Sequence, residues 1–235
     1  MATHSERSFG ARLFRGRELF SYVSNFSNFN PPRPEDSLAE FKVLLDGIDV
    51  NNGSRAAAYQ NYGNAIISRW RAFRLNDVSI FKLLASIRSS ILANYGKGSP
   101  EFDQTVKLVQ KIRGTKLVKN TDDESEDENL VSQSEQSFGS STLYFTELVD
   151  TVGQFQNYNA TTYQVSVAGL RIFLAEISTL NNQVFTSYQN LRAARKLRHR
   201  QYDELSARTQ RIKAYTKSVY GTQSDEYNLI KGISI

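Results

Sequence analysis

One stretch of this sequence limits the possible folds more than any other: between Leu170 and Tyr220 there is neither a proline nor a glycine. A run of that length favours helix, because successive strands need turns, and turns draw on these two residues. The apolar residues of the run recur every three or four positions, as on one face of a helix. Strand-like alternation is not sustained anywhere, so the sequence predicts an all-α fold. The apolar seam consists of Tyr163, Val167, Leu170, Leu174, Ile177, Val184, Tyr188 and Leu191.

Residues that carry chemistry are scarce. The chain of 235 residues has no cysteine and only two histidines, His4 and His199, which leaves no disulfide, thiolate nucleophile or histidine-rich metal centre. Helical bundles that hold two metals carry Glu-x-x-His pairs, and the sequence has no such pair. It also has no phosphate-binding loop, Rossmann glycine pattern or nucleophile elbow. We therefore predict a non-enzymatic protein with no catalytic residue, no metal and no cofactor.

A short motif occurs twice, since Tyr95–Phe102 recurs as Tyr220–Tyr227. In each copy a tyrosine ends one helix, a glycine suits the left-handed conformation just beyond it, and a serine caps the next helix. The motif therefore predicts a tight corner between two helices. It does not predict catalysis, because no histidine lies near either serine to activate it. The corner residues are Tyr95, Gly96 and Ser99 in the first copy and Tyr220, Gly221 and Ser224 in the second.

A match upstream of the corners extends this repeat. Phe41–Ile48 aligns with Phe145–Val152 at an offset of 104 residues, whereas the corners are separated by 125. The second copy should then contain longer helices, with a turn between them at Asp203 or earlier, near Asn190. We predict two tandem, duplicated antiparallel helical units that form a helix bundle. The predicted boundaries are 1–34 for a basic and aromatic N-terminal arm, 35–119 for the first unit, 120–141 for an acidic linker and 142–235 for the second unit.

The second half of the chain resembles a group of duplicated, all-helical bacterial proteins. The resemblance covers mainly residues 155–231 and, more weakly, 38–116. It implies an all-helical duplicated architecture. It implies no activity, because none is attached to that group, and no functional residue is carried over. The matching residues are Tyr188, Asn190, Leu191, Ala194, Arg195, Arg211, Lys213 and Tyr215, followed by the Tyr-Gly-x-x-Ser-x-x-Tyr corner that begins at Tyr220.

Both ends of the chain are unusually apolar. Segments of this kind pack on something, which here means their own bundle, a membrane surface or a neighbouring copy. We predict a structural or interaction protein in which the arm and the tail join copies into a homo-oligomer or a filament. The candidate interaction residues at the two ends are Phe9, Phe14, Phe20, Phe26 and Phe29, and Ile233 and Ile235.

Charge is segregated along the chain, whose net charge is +5. Residues 120–139 contain acids and no base, and the densest positive segment is 192–200. On a helix, Arg192 and Arg195 share one face with further cations, and Arg198 lies beside them. Such a patch binds nucleic-acid backbones by releasing counterions, so the alternative function is a nucleic-acid-binding helical protein. A solvated face and a contact with the chain's own acidic linker are the other interpretations.

The sequence says little about location. No apolar run approaches the length of a transmembrane helix, and no secretory signal is recognised at the N-terminus. These features favour a soluble, cytoplasmic protein without fixing the compartment. No small-molecule substrate is evident.

Overall fold

The computed structural model describes residues 8–114 and 137–235, and these ranges are mostly helical without any strand. The predicted all-α class and the helix bundle are therefore confirmed. Residues 120–136 of the predicted acidic linker lie outside the described ranges. The helices are α1 (Phe9–Val23), α2 (Leu38–Trp70), α3 (Ile80–Tyr95), α4 (Pro100–Arg113), α5 (Phe138–Gln154), α6 (Val167–Tyr220) and α7 (Asp225–Ile230), with short 3-10 turns at Pro34–Asp36 and Tyr163–Val165 and a π-helical turn at Arg71–Leu75.

The chain divides into two compact units, and one of them consists of two segments that are separate in the sequence. Unit 1 consists of the described residues up to Tyr62 together with Ser187–Ile235, and unit 2 consists of those within Gly63–Thr186. α2 begins in unit 1 and ends in unit 2, whereas α6 begins in unit 2 and ends in unit 1. The predicted tandem boundaries, 35–119 and 142–235, do not correspond to these units, because each long helix supplies residues to both.

The long helices are continuous. α6 is a single helix of 54 residues. The turn predicted at Asp203 or near Asn190 is wrong, since the helix passes through both residues without interruption. α2 runs for 33 residues through Gly53. A helix interior tolerates such a glycine at a cost of about 1 kcal/mol relative to alanine.

Local structure repeats at a separation of 129 residues. Ser8 and Ser137 are both N-caps whose hydroxyls accept a hydrogen bond from the backbone N–H three residues on. Asn28 and Asn157 both adopt positive φ, at 60° and 61°. The 3-10 turns begin at 34 and 163, and the helices after them at 38 and 167. The predicted offset of 104 differs from this separation, because it pairs the start of α2 with α5, whereas the caps, the asparagine turns and the 3-10 turns recur 129 residues apart.

Each unit has its own hydrophobic core. In unit 1, α1 packs closely because Gly16 has no side chain: a Cβ there would lie 2.8 Å from Cδ2 of Leu45. The unit 1 core consists of Leu13, Leu19, Val23, Phe41, Leu45, Ile48, Tyr202, Leu205, Ile212, Ile230 and Ile233. The unit 2 core includes Phe73, Ile80, Leu84, Ile87, Ile91, Ile112, Phe145, Leu148, Val152, Leu170 and Ile177.

Candidate functional site

The N-terminal arm belongs to unit 1. Its helix α1 buries Leu19 and Val23 completely in the core of that unit. Phe14 is the exception among the predicted interaction residues, because 70% of it is exposed. The other four have ring partners in the unit: Phe9 with Tyr202, Phe20 with Phe41, Phe26 with Tyr220 and Phe29 with Tyr215, at centroid distances of 4.7, 6.4, 5.7 and 5.4 Å.

The C-terminal tail packs against the same core. Ile233 is only 7% exposed, and Ile235 is partly buried. The ammonium Nζ of Lys213 donates a hydrogen bond of 2.9 Å to the carbonyl of Ile233, and the hydroxyl of Ser206 donates one of 3.0 Å to the carbonyl of Ile235. Burial lowers the pKa of Lys213. The apolar residues at both ends of the chain, Phe14 apart, thus have partners within unit 1.

The two helix corners have the same local geometry. Gly96 and Gly221 have φ angles of 82° and 96°, which favour glycine because a Cβ would be strained there. Ser99 and Ser224 cap α4 and α7, and each accepts a hydrogen bond from a backbone N–H in the first turn. These residues join helices and leave no hydroxyl beside a base.

The corner tyrosines hold the turn that contains the left-handed asparagine. The hydroxyl of Tyr220 donates a hydrogen bond of 2.6 Å to the carbonyl of Ser27, and that of Tyr95 donates one of 2.8 Å to the carbonyl of Gln156. The two acceptors are themselves 129 residues apart. Burial is the main cause that raises the pKa of both tyrosines, so neither hydroxyl is set up to lose its proton.

A charged cluster occurs in unit 1 and was not predicted from the sequence. Asp36 is 2% exposed, and its two carboxylate oxygens each accept a hydrogen bond of 2.7 Å from Arg211. Glu204 accepts hydrogen bonds from Arg208 and Arg211. Arg208 also donates to the carbonyl of Glu35. Every charge in this cluster has a partner, so it joins the 3-10 turn to α6 and leaves no free charge for a ligand.

The basic segment of α6 is different, because its cations have no acidic partner. Arg192, Arg195, Lys196 and Arg200 are exposed, and none of them forms an ion pair within the described ranges. Arg198 turns the other way, and its guanidinium carbon lies 4.0 Å from the centre of the Phe9 ring. Of the three predicted arginines, Arg192 and Arg195 thus lie on an exposed face, whereas Arg198 packs against Phe9.

Arg55 on α2 adds another cation at this place. Burial lowers the pKa of Arg198, and the positive charges of Arg55 and Arg195 lower it further. The Nε atoms of Arg55 and Arg198 are buried without a hydrogen-bond partner. Like charges held together without a carboxylate destabilise a fold unless an anion compensates them.

Tyrosines lie beside these arginines. The guanidinium carbon of Arg55 is 5.5 Å from the centre of the Tyr59 ring, and the rings of Tyr62 and Tyr188 are 5.5 Å apart. Tyr188 lies four and seven residues before Arg192 and Arg195, so all three share one face of α6. We refer to Arg55, Tyr59 and Tyr62 of α2 together with Tyr188, Arg192, Arg195 and Lys196 of α6 as the Arg-Tyr strip.

The Arg-Tyr strip is free of acidic residues in sequence, and its cations form no ion pair within the described ranges. No aspartate or glutamate occurs in residues 50–62 of α2 or in residues 187–202 of α6. The cations of the α6 half were predicted from their density. Tyr188 was predicted only as part of the apolar seam of the long helix, and its exposure of 44% departs from that prediction. The α2 half was missed, because Arg55 is a single arginine in an alanine-rich stretch and only the pairing of the two helices brings it to the cluster.

Other chemistry finds little support in the described part of the chain. No group of three or more His, Asp or Glu residues there could hold a metal ion. No helix in these ranges is both long and apolar enough to cross a membrane. Comparison of the chain with protein-family models, with curated proteins and with solved structures gives no match.

Proposed function

We propose that this protein is a non-catalytic nucleic-acid-binding protein, and that the Arg-Tyr strip of unit 1 makes the contact. The observation that carries the proposal is the set of cations without acidic partners: Arg55, Arg192, Arg195 and Lys196 form no ion pair within the described ranges. A phosphate backbone supplies the missing negative charge and releases its counterions on binding.

Charge pairing elsewhere in unit 1 supports this interpretation. Arg17 lies 3.0 Å from a carboxylate oxygen of Asp49, and Lys42 lies 2.6 Å from one of Asp46. The unit thus offers carboxylates to some of its other exposed cations and offers none in the Arg-Tyr strip, where several cations lie together. A face that served only solubility would gain from mixed signs of charge.

Association of copies through the arm and the tail was the first prediction from the sequence. The nucleic-acid proposal is favoured over it because Phe9, Phe26, Phe29 and Ile233 have partners within unit 1. Much of the apolar surface of these side chains is therefore already covered within the unit and is not available to another copy. The α6 cations of the Arg-Tyr strip, by contrast, are exposed.

The test measures binding of the full-length chain to a fluorescently labelled oligonucleotide of about 20 nucleotides by anisotropy. The affinity should fall steeply between about 50 and 200 mM salt. The double variant Arg192→Glu/Arg195→Glu should bind at least about tenfold more weakly, with a smaller salt dependence. Both residues are exposed, so the variant should keep the helical content of the parent.

The matched control is Lys217→Glu/Lys231→Glu. It makes the same change of net charge at two exposed lysines of the same unit, outside the Arg-Tyr strip. We expect it to bind within about threefold of the parent, as is usual for distant charges screened by salt. Absence of binding at low salt, or equal loss in both variants, would contradict the proposal.

A further inference from the structure

Two of the three tyrosines of the Arg-Tyr strip are open to solvent, and Tyr62 is partly buried. Tyr59 is 57% exposed and Tyr188 is 44% exposed. A core tyrosine normally buries most of its ring and gives its hydroxyl a partner. These rings contribute little to the burial of the unit, yet they lie beside cations that have no acidic partner.

Rings and cations lie beside one another in the Arg-Tyr strip. Arg55 lies over Tyr59 on α2, and Tyr188 precedes Arg192 by one turn on α6. The Tyr62 and Tyr188 rings meet at an interplanar angle of 48°, so the pair is not closed by face-to-face stacking. Cations beside exposed aromatic rings are the combination that holds the phosphates and the stacked bases of a single strand.

Exposed rings distinguish single-stranded from duplex nucleic acid. A double helix keeps its bases stacked inside, where a ring on a protein surface cannot reach them. Single strands present their base faces and edges.

We infer that the Arg-Tyr strip binds single-stranded nucleic acid in preference to duplex, with bases stacked on Tyr59 and Tyr188 and phosphates at Arg55, Arg192 and Arg195. This inference rests on the proposed function, because it requires that the strip bind a nucleic acid at all. It adds the class of ligand and gives the tyrosines a role that a purely electrostatic surface does not need.

The experiment compares a labelled oligothymidine with a duplex of the same length, at the same salt, on the full-length chain. We expect the single strand to bind at least about tenfold more tightly. The variant Tyr59→Ala/Tyr188→Ala should lose about tenfold or more in affinity for the single strand, since stacking of one base on a ring is typically worth 1–3 kcal/mol. Tyr59→Phe/Tyr188→Phe should bind like the parent, because the rings remain.

Two controls separate this inference from the proposed function. Tyr163→Ala removes a 64% exposed tyrosine from unit 2 and should not change binding. Heparin, which has charge but no bases, should bind the Tyr59→Ala/Tyr188→Ala variant as it binds the parent and should lose affinity for Arg192→Glu/Arg195→Glu.

Equal affinity for duplex and single strand, or parental affinity in the tyrosine-to-alanine variant, would overturn the inference while the arginine variant could still support the proposed function. Failure of every polyanion to bind at low salt would overturn both.

Discussion

Arg211 holds the carboxylate of Asp36 in a two-pronged contact: Nε donates to Oδ2 and Nη2 donates to Oδ1, both at 2.7 Å. This geometry matches the planar fork of a guanidinium to both oxygens of a carboxylate. Asp36 lies in the 3-10 turn before α2, and Arg211 lies in α6. At the position equivalent to Asp36 in unit 2, 129 residues on, stands the buried Val165. The two units therefore fix the same turn by different means, one ionic and one apolar.

Removal of only one partner of the Asp36–Arg211 ion pair should destabilise the fold. We expect Arg211→Met to lower the free energy of unfolding by about 3 kcal/mol, because it leaves the Asp36 carboxylate buried without a counter-charge. The double variant Asp36→Val/Arg211→Met should recover most of this loss, since it reproduces the apolar solution of unit 2. Urea unfolding followed by circular dichroism measures both. Asp46→Asn, at an exposed pair, should change stability by less than about 1 kcal/mol. A double variant no more stable than Arg211→Met would contradict this account.

Stability should also depend on pH through Glu204. The hydrogen bond from Arg208 lowers the pKa of this carboxyl below its ordinary 4.5, with the charges of Arg208 and Arg211 adding to the effect. A group whose pKa is lowered by folding stabilises the fold above its unfolded pKa, and this contribution is lost as pH falls through the folded value. Glu204→Gln should therefore be less stable than the parent at pH 7, and the difference should shrink below about pH 4. Urea midpoints at a series of pH values test this, and a difference independent of pH would contradict it.

Substitution by alanine should raise the stability of the fold at Gly63 and lower it at Gly169. A Cβ at Gly169, in the first turn of α6, would overlap the carbonyl oxygen of Tyr163, whereas nothing lies within 4 Å of one at Gly63 in α2. Gly63→Ala should stabilise by about 0.5–1 kcal/mol through helix propensity. Gly169→Ala should destabilise by about 2 kcal/mol, because backbone has to move to relieve the clash. Thermal unfolding monitors both, and equal melting temperatures for the two variants would show that the approach of Tyr163 is not a constraint.

The sequence was sufficient for the fold class and insufficient for the pairing of helices. The break-free run predicted α6, and the serines predicted where α4 and α7 begin. Apolar residues three or four apart recur on every helix, so periodicity alone does not fix which helices correspond. An alignment of Phe41–Ile48 with Phe145–Val152 satisfies it as well as an alignment at a separation of 129 residues does. The asparagine turns at Asn28 and Asn157 mark the second alignment, but their positive φ is visible only in the structure.

The Arg-Tyr strip, too, was predicted from the sequence only in part. Arg192 and Arg195 were predicted from local density of charge, which needs no tertiary structure. The sequence around Arg55 and Tyr59 does not indicate a binding site. A single arginine on a helix is usually exposed to solvent, and a single tyrosine is usually half-buried. Only the approach of α2 to α6 within unit 1 places Arg55 close enough to affect the pKa of Arg198.

Two residues of α1 can test whether the arm serves the core of its own unit or joins copies of the chain, as the sequence predicted. Leu19 is fully buried and Phe14 is 70% exposed on the same helix. Leu19→Ala should lower the free energy of unfolding by about 3 kcal/mol, because it leaves a cavity in unit 1. Phe14→Ser should change it by less than about 0.5 kcal/mol, as is usual for exposed positions. Sedimentation of the parent and of both variants should give the same mass, since α1 acts within its own unit. If Phe14→Ser converted a larger species to the 26.7 kDa chain, the exposed phenylalanine would be a contact between copies and association through the arm would regain its support.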